Sequence, residues 1–338
     1  MAMQFLSDNA ARVHPAVWRA MQAADASDAP YDGDALSARL DAAFSALFGR
    51  DCAAIWVASG TAANGLALAT MVPPHGGVIC HRDAHIETSE CGAPGFYTHG
   101  AKLLLAGDAK VAEGAKLTPA AIAAAMPHRK DVHRVQPHAV SITQASEQGR
   151  VYTPAEVAAI GAFVREQGWR LHMDGARFAN AVAFLGCSPA VVSCDAGVDA
   201  LSFGCVKNGG MGAEAIVFFD RALADTARLR RKRAGHLQAK GRFLAAQLLA
   251  MLEGDLWLEN ARAANTAAQT IAAGAGERLQ QPVEGNQLFV DMTPLERAAL
   301  RAQGFGFYDW GESGARIVTA WDSRVEDCEA LARAIGSL

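Results

Sequence analysis

The pattern of this chain predicts an α/β protein: a mostly parallel sheet with helices on both faces, followed by a small C-terminal α+β domain. Three observations carry that reading. Short apolar runs alternate with helix-period segments through most of residues 50 to 220. Ser59-Gly60-Thr61, His85, Asp174 and Lys207 each come just after one of those runs, and ligands of such sheets sit at the carboxyl ends of strands. Beyond Arg221 the character changes to a basic run, Arg228 to Arg233, and then to long Ala/Leu-rich helices.

The totals bound the rest. With 338 residues and 51% hydrophobic composition the chain suits two domains. We expect an N-terminal segment over 1–15 that contributes to the active site, a large domain over 16–240 and a small domain over 241–338. A net charge of -4 and a pI near 6.2 give no reason to expect nucleic acid or an acidic membrane as partner. The seven cysteines include no C-x-x-C pair, and the opening residues lack the basic and apolar regions of a signal peptide, so a cytoplasmic location with reduced thiols is expected. The uncharged run from Cys52 to His81 is punctuated by Ser59-Gly60-Thr61 and Pro73-Pro74-His75-Gly76-Gly77, which excludes reading it as a membrane span.

Taken in order, His14-Pro15 opens a helix through Met21, with proline in the first turn. Tyr31-Asp32-Gly33-Asp34 is a loop, and Leu36, Leu40, Phe44 and Leu47 repeat at helical spacing until Gly49. Ala53 to Val57 is a buried strand that passes through Ser59-Gly60-Thr61 into a helix from Ala62 to Met71. Val78 to Cys80 is a strand, Ile86 to Cys91 helical, Lys102 to Leu105 a strand, Thr118-Pro119 a helix start and His138 to Thr143 a strand. Thr153-Pro154-Ala155-Glu156 is a capping box whose helix Gly168 stops. A strand ending at Asp174, a helix from Ala176 to Phe184, and strands Ala200 to Phe203 and Ala215 to Phe219 complete the large domain. In the small domain Leu288 to Met292, Pro294 to Gln303, Phe305 to Tyr308, Arg316 to Ala320 and Val325 to Ile335 read as strand, helix, strand, strand, helix.

A strand that delivers Asp174 at its end, followed by another strand and Lys207, suits a pyridoxal phosphate site. The carboxylate would keep the pyridine nitrogen protonated and the lysine would carry the cofactor as a Schiff base. The alternative is a helix-capping aspartate and a solvated lysine. Of the lysines, only Lys207 follows a buried strand inside a Gly-rich loop, where desolvation would disfavour its ammonium. Gly60-Thr61 at a strand-to-helix junction offers N–H groups to a phosphate, or is an ordinary N-cap. His85 could stack on a cofactor ring or relay a proton; His133, just ahead of a strand, could also face the site, and the alternative for both is a loop histidine. Arg177 and Arg316 could clamp a carboxylate or form structural salt bridges. The histidines show no metal spacing, so no catalytic metal is expected, and there is no G-x-S-x-G, P-loop or strand-to-helix G-x-G-x-x-G.

Ser7-Asp8-Asn9, Ser59-Gly60-Thr61-Ala62-Ala63-Asn64, Ala84-His85-Ile86-Glu87, Cys91-Gly92-Ala93-Pro94, His172-Met173-Asp174-Gly175-Ala176-Arg177, Lys207-Asn208-Gly209 and Arg316-Ile317-Val318-Thr319-Ala320-Trp321 occur in this order. Together they resemble the pyridoxal phosphate-dependent threonine aldolases of the aspartate-aminotransferase-like fold, fold type I, and in particular the bacterial low-specificity L-threonine aldolases. The resemblance implies retro-aldol cleavage of L-threonine, L-allo-threonine and other β-hydroxy-α-amino acids such as phenylserine to glycine and an aldehyde. It implies Lys207 as the covalent cofactor residue, Asp174 at the ring nitrogen, and His85 stacked on the ring and assisting loss of the hydroxyl proton. Ser59, Gly60 and Thr61 would hold the phosphate, Ser7, Arg177 and Arg316 the substrate carboxylate, and His133 the side-chain hydroxyl. It further implies a homotetramer, a dimer of dimers, in which Lys240 or Arg242 brings a cation to the phosphate. Tyr31-Asp32-Gly33-Asp34 departs from the family's Tyr-Gly-Asp-Asp order. The same apparatus also serves β-eliminating lyases, aminotransferases and non-catalytic proteins of the fold, which stand as alternatives.

Overall fold

The structure is a computed structural model describing residues 3–107, 114–127 and 131–338. The chain opens with a two-residue strand, β1 (Met3–Gln4), and helix α1 (Pro15–Ala23), where Pro15 occupies a first-turn position and the His14 ring accepts from Ala16 N at 3.2 Å. Helix α2 (Leu40–Phe48) stops at Gly49, whose φ of 60° suits a residue without a Cβ.

The alternating region then builds β2 (Ala53–Val57), α3 (Gly60–Met71), β3 (Gly76–His81), α4 (His85–Thr88), α5 (Ala93–Thr98), β4 (Lys102–Ala106), α6 (Pro119–Ala124), β5 (Gln136–Thr143), α7 (Pro154–Glu166), β6 (Arg170–Gly175), α8 (Phe178–Leu185), β7 (Ala200–Phe203), β8 (Glu214–Phe218) and α9 (Ala224–Arg233). The seven strands form one sheet in the order β2-β8-β7-β6-β5-β3-β4. The pairs from β7 to β4 are parallel, while β8 runs antiparallel to both β2 and β7.

Strand alternation sorts the side chains to two covered faces. Ala54, Trp56, Leu171, Met173, Leu201 and Phe203 join a core with α2, α7 and α8, whereas Ala53, Ile55, Ile216 and Phe218 pack on α3 and α9. The even positions of β6 therefore face α3, and that parity decides where Asp174 points.

The last elements are α10 (Arg242–Leu252), α11 (Leu256–Ala275), β9 (Gln287–Asp291), α12 (Pro294–Ala302), β10 (Phe305–Gly306), β11 (Tyr308–Trp310), β12 (Gly314–Val318) and α13 (Val325–Gly336). β11-β12-β9 make a small antiparallel sheet. Here the structure corrects the expected boundary at 240/241. Leu244, Leu248, Met251, Trp257 and Ala261 belong to the large core, and the small core begins with Ala268 and Ile271 on the same helix. Trp257 is 1% exposed and lies 5.5 Å from the Phe203 ring, so α11 is anchored in the large domain at its start and in the small domain at its end. The N-terminal segment is likewise tied to the small domain, because β1 pairs parallel with β10 and Phe5 enters the small core.

One further expectation shifts. The helical segment expected over Ile86 to Cys91 is a single turn that ends at Thr88. The basic run is the end of α9, with Arg231 buried beneath Trp56, paired with Asp32 and 4.3 Å from the indole centroid. The Asp32 of the transposed loop is thus engaged in a structural ion pair.

Candidate active site

Asp174 ends β6 and is 4% exposed. One carboxylate oxygen accepts from Ala176 N at 3.0 Å and the other from Asn64 Nδ2 on α3 at 2.8 Å. The same amide nitrogen donates to Glu90 Oε1 at 2.9 Å, and that oxygen meets His85 Nδ1 at 2.8 Å. The Glu90 side chain is fully buried while that of His85 is 35% exposed. The hydrogen bond to Glu90 raises the His85 pKa against the opposing effect of burial, helped by the charges of Glu147 and Asp174. His172, two residues before Asp174 on the same face, differs completely: its ring lies between Ser141 Oγ (2.9 Å) and Ser202 Oγ (3.0 Å), and burial pushes it down to about 4. It is a satisfied core histidine.

The loop bearing Lys207 is pressed against the end of β6. Gly204 N donates to Gly175 O at 3.0 Å, and a Cβ on Gly204 would sit 2.4 Å from Ala176 O, so only glycine permits this approach. The loop is pinned by Asn208 Nδ2 to Trp257 O and by Asn260 Nδ2 to Asn208 O, both at 2.8 Å. Glu214 Oε2 accepts from Cys205 N at 2.6 Å, and burial pushes its carboxyl up to about 7. The Arg177 charge, followed by burial, lowers the pKa of Lys207. Sequence reasoning expected desolvation; the neighbouring guanidinium has the larger effect.

Between β2 and α3, Ser59 Oγ accepts from Ala62 N at 3.2 Å and caps the helix. Gly60 and Thr61 form its first turn, and apart from its chain neighbours and its own helix no described group lies within 4 Å of where a Gly60 Cβ would stand. This is an open helix N-terminus with free N–H groups. Ser59, Gly60, Thr61, His85, Asp174, Arg177 and Lys207 all line one cavity of about 250 Å³.

The remaining expected residues stand apart in different ways. Arg177 faces the cavity, but its Nε and Nη2 are bound to Asp8 Oδ2 and Oδ1 at 2.8 and 2.9 Å, so a structural ion pair engages its fork. Ser7 accepts from Asn9 N at 3.2 Å and caps its own turn. Arg316 does not line the cavity; its Nη2 and Nε donate to the neutral Gln287 Oε1 at 2.7 and 3.3 Å, and burial with the Arg177 charge lowers its pKa to about 10. His133 precedes β5 and lies with Pro74, His75 and Trp169 at the amino-terminal edge of the sheet. Within this chain it therefore lies apart from the cavity, which opens at the carboxyl ends of the strands. Arg242 Nε donates to Ala24 O at 3.0 Å and Lys240 is exposed; neither lines this cavity.

Sequence reasoning missed Asn64, Glu90, Glu147, Glu214 and Asp8 as site residues. Asn64 carried one signal, an amide inside the small apolar run Ala62 to Met71. Glu147, half-buried, lines the cavity; burial and Asp174 raise its carboxyl pKa, with His85, Arg177 and Lys207 opposing.

A carboxylate, an amine and a helix N-terminus around one cavity on this fold agree with comparisons to known proteins. The beta-eliminating lyase family matches residues 4–294. The chain belongs to that family. A low specificity L-threonine aldolase from Pseudomonas aeruginosa is 46% identical over 338 residues, covering 98% of this chain and 96% of its own length. One from a Pseudomonas species is 44% identical over 345 residues, covering 99% of each. A threonine aldolase structure from Leishmania major superposes with a TM-score of 0.91 at 28% identity, over 98% of both chains. A Thermus thermophilus aspartate aminotransferase, at 14% identity and a TM-score of 0.72 over 99% of this chain and 91% of its own, shares the fold, that of fold type I. Within the family this chain stands with the threonine aldolases and is an enzyme of the carbon–carbon lyase class.

Proposed function

We propose that the enzyme cleaves the Cα–Cβ bond of L-threonine, L-allo-threonine and other β-hydroxy-α-amino acids such as phenylserine, giving glycine and an aldehyde, with pyridoxal 5′-phosphate as cofactor. The 46% identity to the Pseudomonas aeruginosa enzyme across nearly the whole chain is the observation that carries the reaction. The cavity fits the cofactor on its own chemistry. An Asp174 carboxylate held by two donors suits a protonated ring nitrogen, the Lys207 amine, pushed below its ordinary pKa, suits the covalent attachment, and the open α3 N-terminus suits a phosphate.

When bound, the cofactor supplies an acceptor for the electron pair released at Cα. Ser59, Gly60 and Thr61 would hold its phosphate, and His85 would lie against its ring. His85 Nδ1 is occupied by Glu90, which leaves Nε2 to accept the substrate hydroxyl proton as the Cα–Cβ bond breaks and the oxygen becomes the aldehyde carbonyl. A proton returned to Cα completes glycine. Arg316, whose hydrogen bonds among the described residues go to an amide, is a cation able to receive the amino-acid carboxylate in place of Gln287. Ser7 and Arg177 would complete that end of the site.

The reading extends to a cytoplasmic homotetramer, a dimer of dimers, in which Lys240 or Arg242 serves the phosphate of a neighbouring subunit. Sedimentation equilibrium should give four chains per particle.

The direct test adds pyridoxal phosphate and L-threonine, L-allo-threonine, D-threonine or phenylserine to purified protein and follows glycine and aldehyde. Equal amounts from the L-substrates, lost in Lys207→Ala, are expected. Ammonia or a keto acid without glycine would overturn the aldolase reading.

A further inference from the structure

We propose that the buried Glu90 carboxylate, joined to Asp174 through the single amide of Asn64, is the positioning group that fixes His85 with Nε2 toward the cavity and governs its protonation during cleavage. This rests on the retro-aldol reading above.

The geometry is a closed series of short contacts. Asn64 Nδ2 has two hydrogens and two carboxylate partners, Asp174 Oδ2 at 2.8 Å and Glu90 Oε1 at 2.9 Å. One helix side chain thereby lets two buried carboxylates share a compartment that like charges would otherwise oppose. On the far side Glu90 Oε1 meets His85 Nδ1 at 2.8 Å, while Glu90 Oε2 and Asn64 Oδ1 are buried and find no hydrogen-bond partner among the described residues. Among the described residues no Lys or Arg forms an ion pair with Glu90; its ion-pair partner is the His85 ring. A buried carboxylate so placed favours the imidazolium and, in the neutral ring, keeps the proton on Nδ1. The arrangement leaves Nε2 as the proton acceptor and stabilises the cation formed when it takes the hydroxyl proton.

Other charged groups face the same ring. Glu147, beyond β5, and Asp174 at the end of β6 both favour protonated His85, while Arg177 and Lys207 act on Glu147 from across the cavity. Glu90 contributes the largest single effect because, among the described residues, it is the one hydrogen-bonded to the ring. Its influence is therefore separable by an isosteric change. Glu90→Gln keeps the shape and removes the charge, and Glu90→Asp keeps the charge on a shorter arm.

The test titrates His85 by NMR in histidine-labelled holoenzyme, with the resonance assigned through His85→Asn, alongside the pH profile of kcat. In Glu90→Gln the His85 midpoint is expected to fall by about one pH unit or more, with the acidic limb of kcat moving down with it. Plateau kcat should fall ~10- to 100-fold with KM changed less than about threefold, as for a group that acts mainly in the transition state. Glu90→Asp should restore part of the midpoint, and Asn64→Ser should alter it with Glu90 intact. A His85 midpoint and kcat limb unchanged in folded Glu90→Gln would overturn the proposal. If Glu90→Gln does not fold, the Glu90→Asp and Asn64→Ser midpoints decide it, and wild-type values in both overturn it. Should the wild type release no glycine from any β-hydroxy amino acid, the aldolase reading fails, and the titration still decides whether Glu90 governs His85.

Discussion

Arg177 and Arg316 approach the same charged region from different domains, and their partners differ in kind. Arg177, at the start of α8, is 8% exposed and meets the carboxylate of Asp8 through two bonds of 2.8 and 2.9 Å. Arg316, on β12, is half-buried and among the described residues hydrogen-bonds the amide oxygen of Gln287 alone. Burial opposes the charge of both. For Arg177 the Asp8 carboxylate outweighs burial and its pKa rises; for Arg316 burial and the Arg177 charge prevail, leaving it at about 10. A guanidinium already matched by a carboxylate holds the fold together. One left with an amide has affinity in reserve for an anionic ligand.

The largest test of that contrast removes Asp8. Asp8→Ala leaves Arg177 buried and unpaired and also takes the 2.9 Å acceptor from Asn286, so urea denaturation should register a loss of about 3–5 kcal/mol. A loss below about 1 kcal/mol would erase the distinction between the two arginines. Next, Arg316→Ala should raise KM for L-threonine ~100-fold, about 3 kcal/mol, while stability changes by less than ~1 kcal/mol. An unchanged KM would remove Arg316 from the substrate site.

Acid separates the two sites more gently. Burial pushes Asp8 up, but the charges of Arg177 and Lys207 and the hydrogen bonds from Arg177 and Asn286 outweigh it, so its folded pKa lies below its ordinary value. The stability from this pair is then fully present above the unfolded value of about 3.9 and is lost as pH falls through the lower folded value. Melting temperature followed below pH 4 should show this loss in the wild type and a shallower slope in Asp8→Asn. The smallest effect is expected from Gln287→Glu, which gives Arg316 the carboxylate that Arg177 already has. It should add up to ~1 kcal/mol of stability and raise KM several-fold, by competition with the substrate.

The site was readable to the extent that its residues obey local strand grammar. Asp174, Lys207 and Ser59-Gly60-Thr61 each follow a short apolar run that reads as a buried strand, and parallel sheets present such positions together. The same rule places His133, which precedes β5, at the amino edge of its own sheet. Asn64, Glu90 and Asp8 were not readable in this way. Their partners lie 110, 26 and 169 residues away, and pairings at such separations leave no periodic trace.

By itself the sequence determined the order of elements, the parallel sheet, and which side chains reach its carboxyl edge, because those follow from period, punctuation and chain direction over a few residues. Only the tertiary structure decided which of two similar arginines is matched, which histidine is satisfied in the core and which faces the cavity, and that the domain division falls within α11 rather than before α10. Each of those outcomes depends on how elements distant in sequence meet at ångström distances, where burial and hydrogen bonding set the charge of every group.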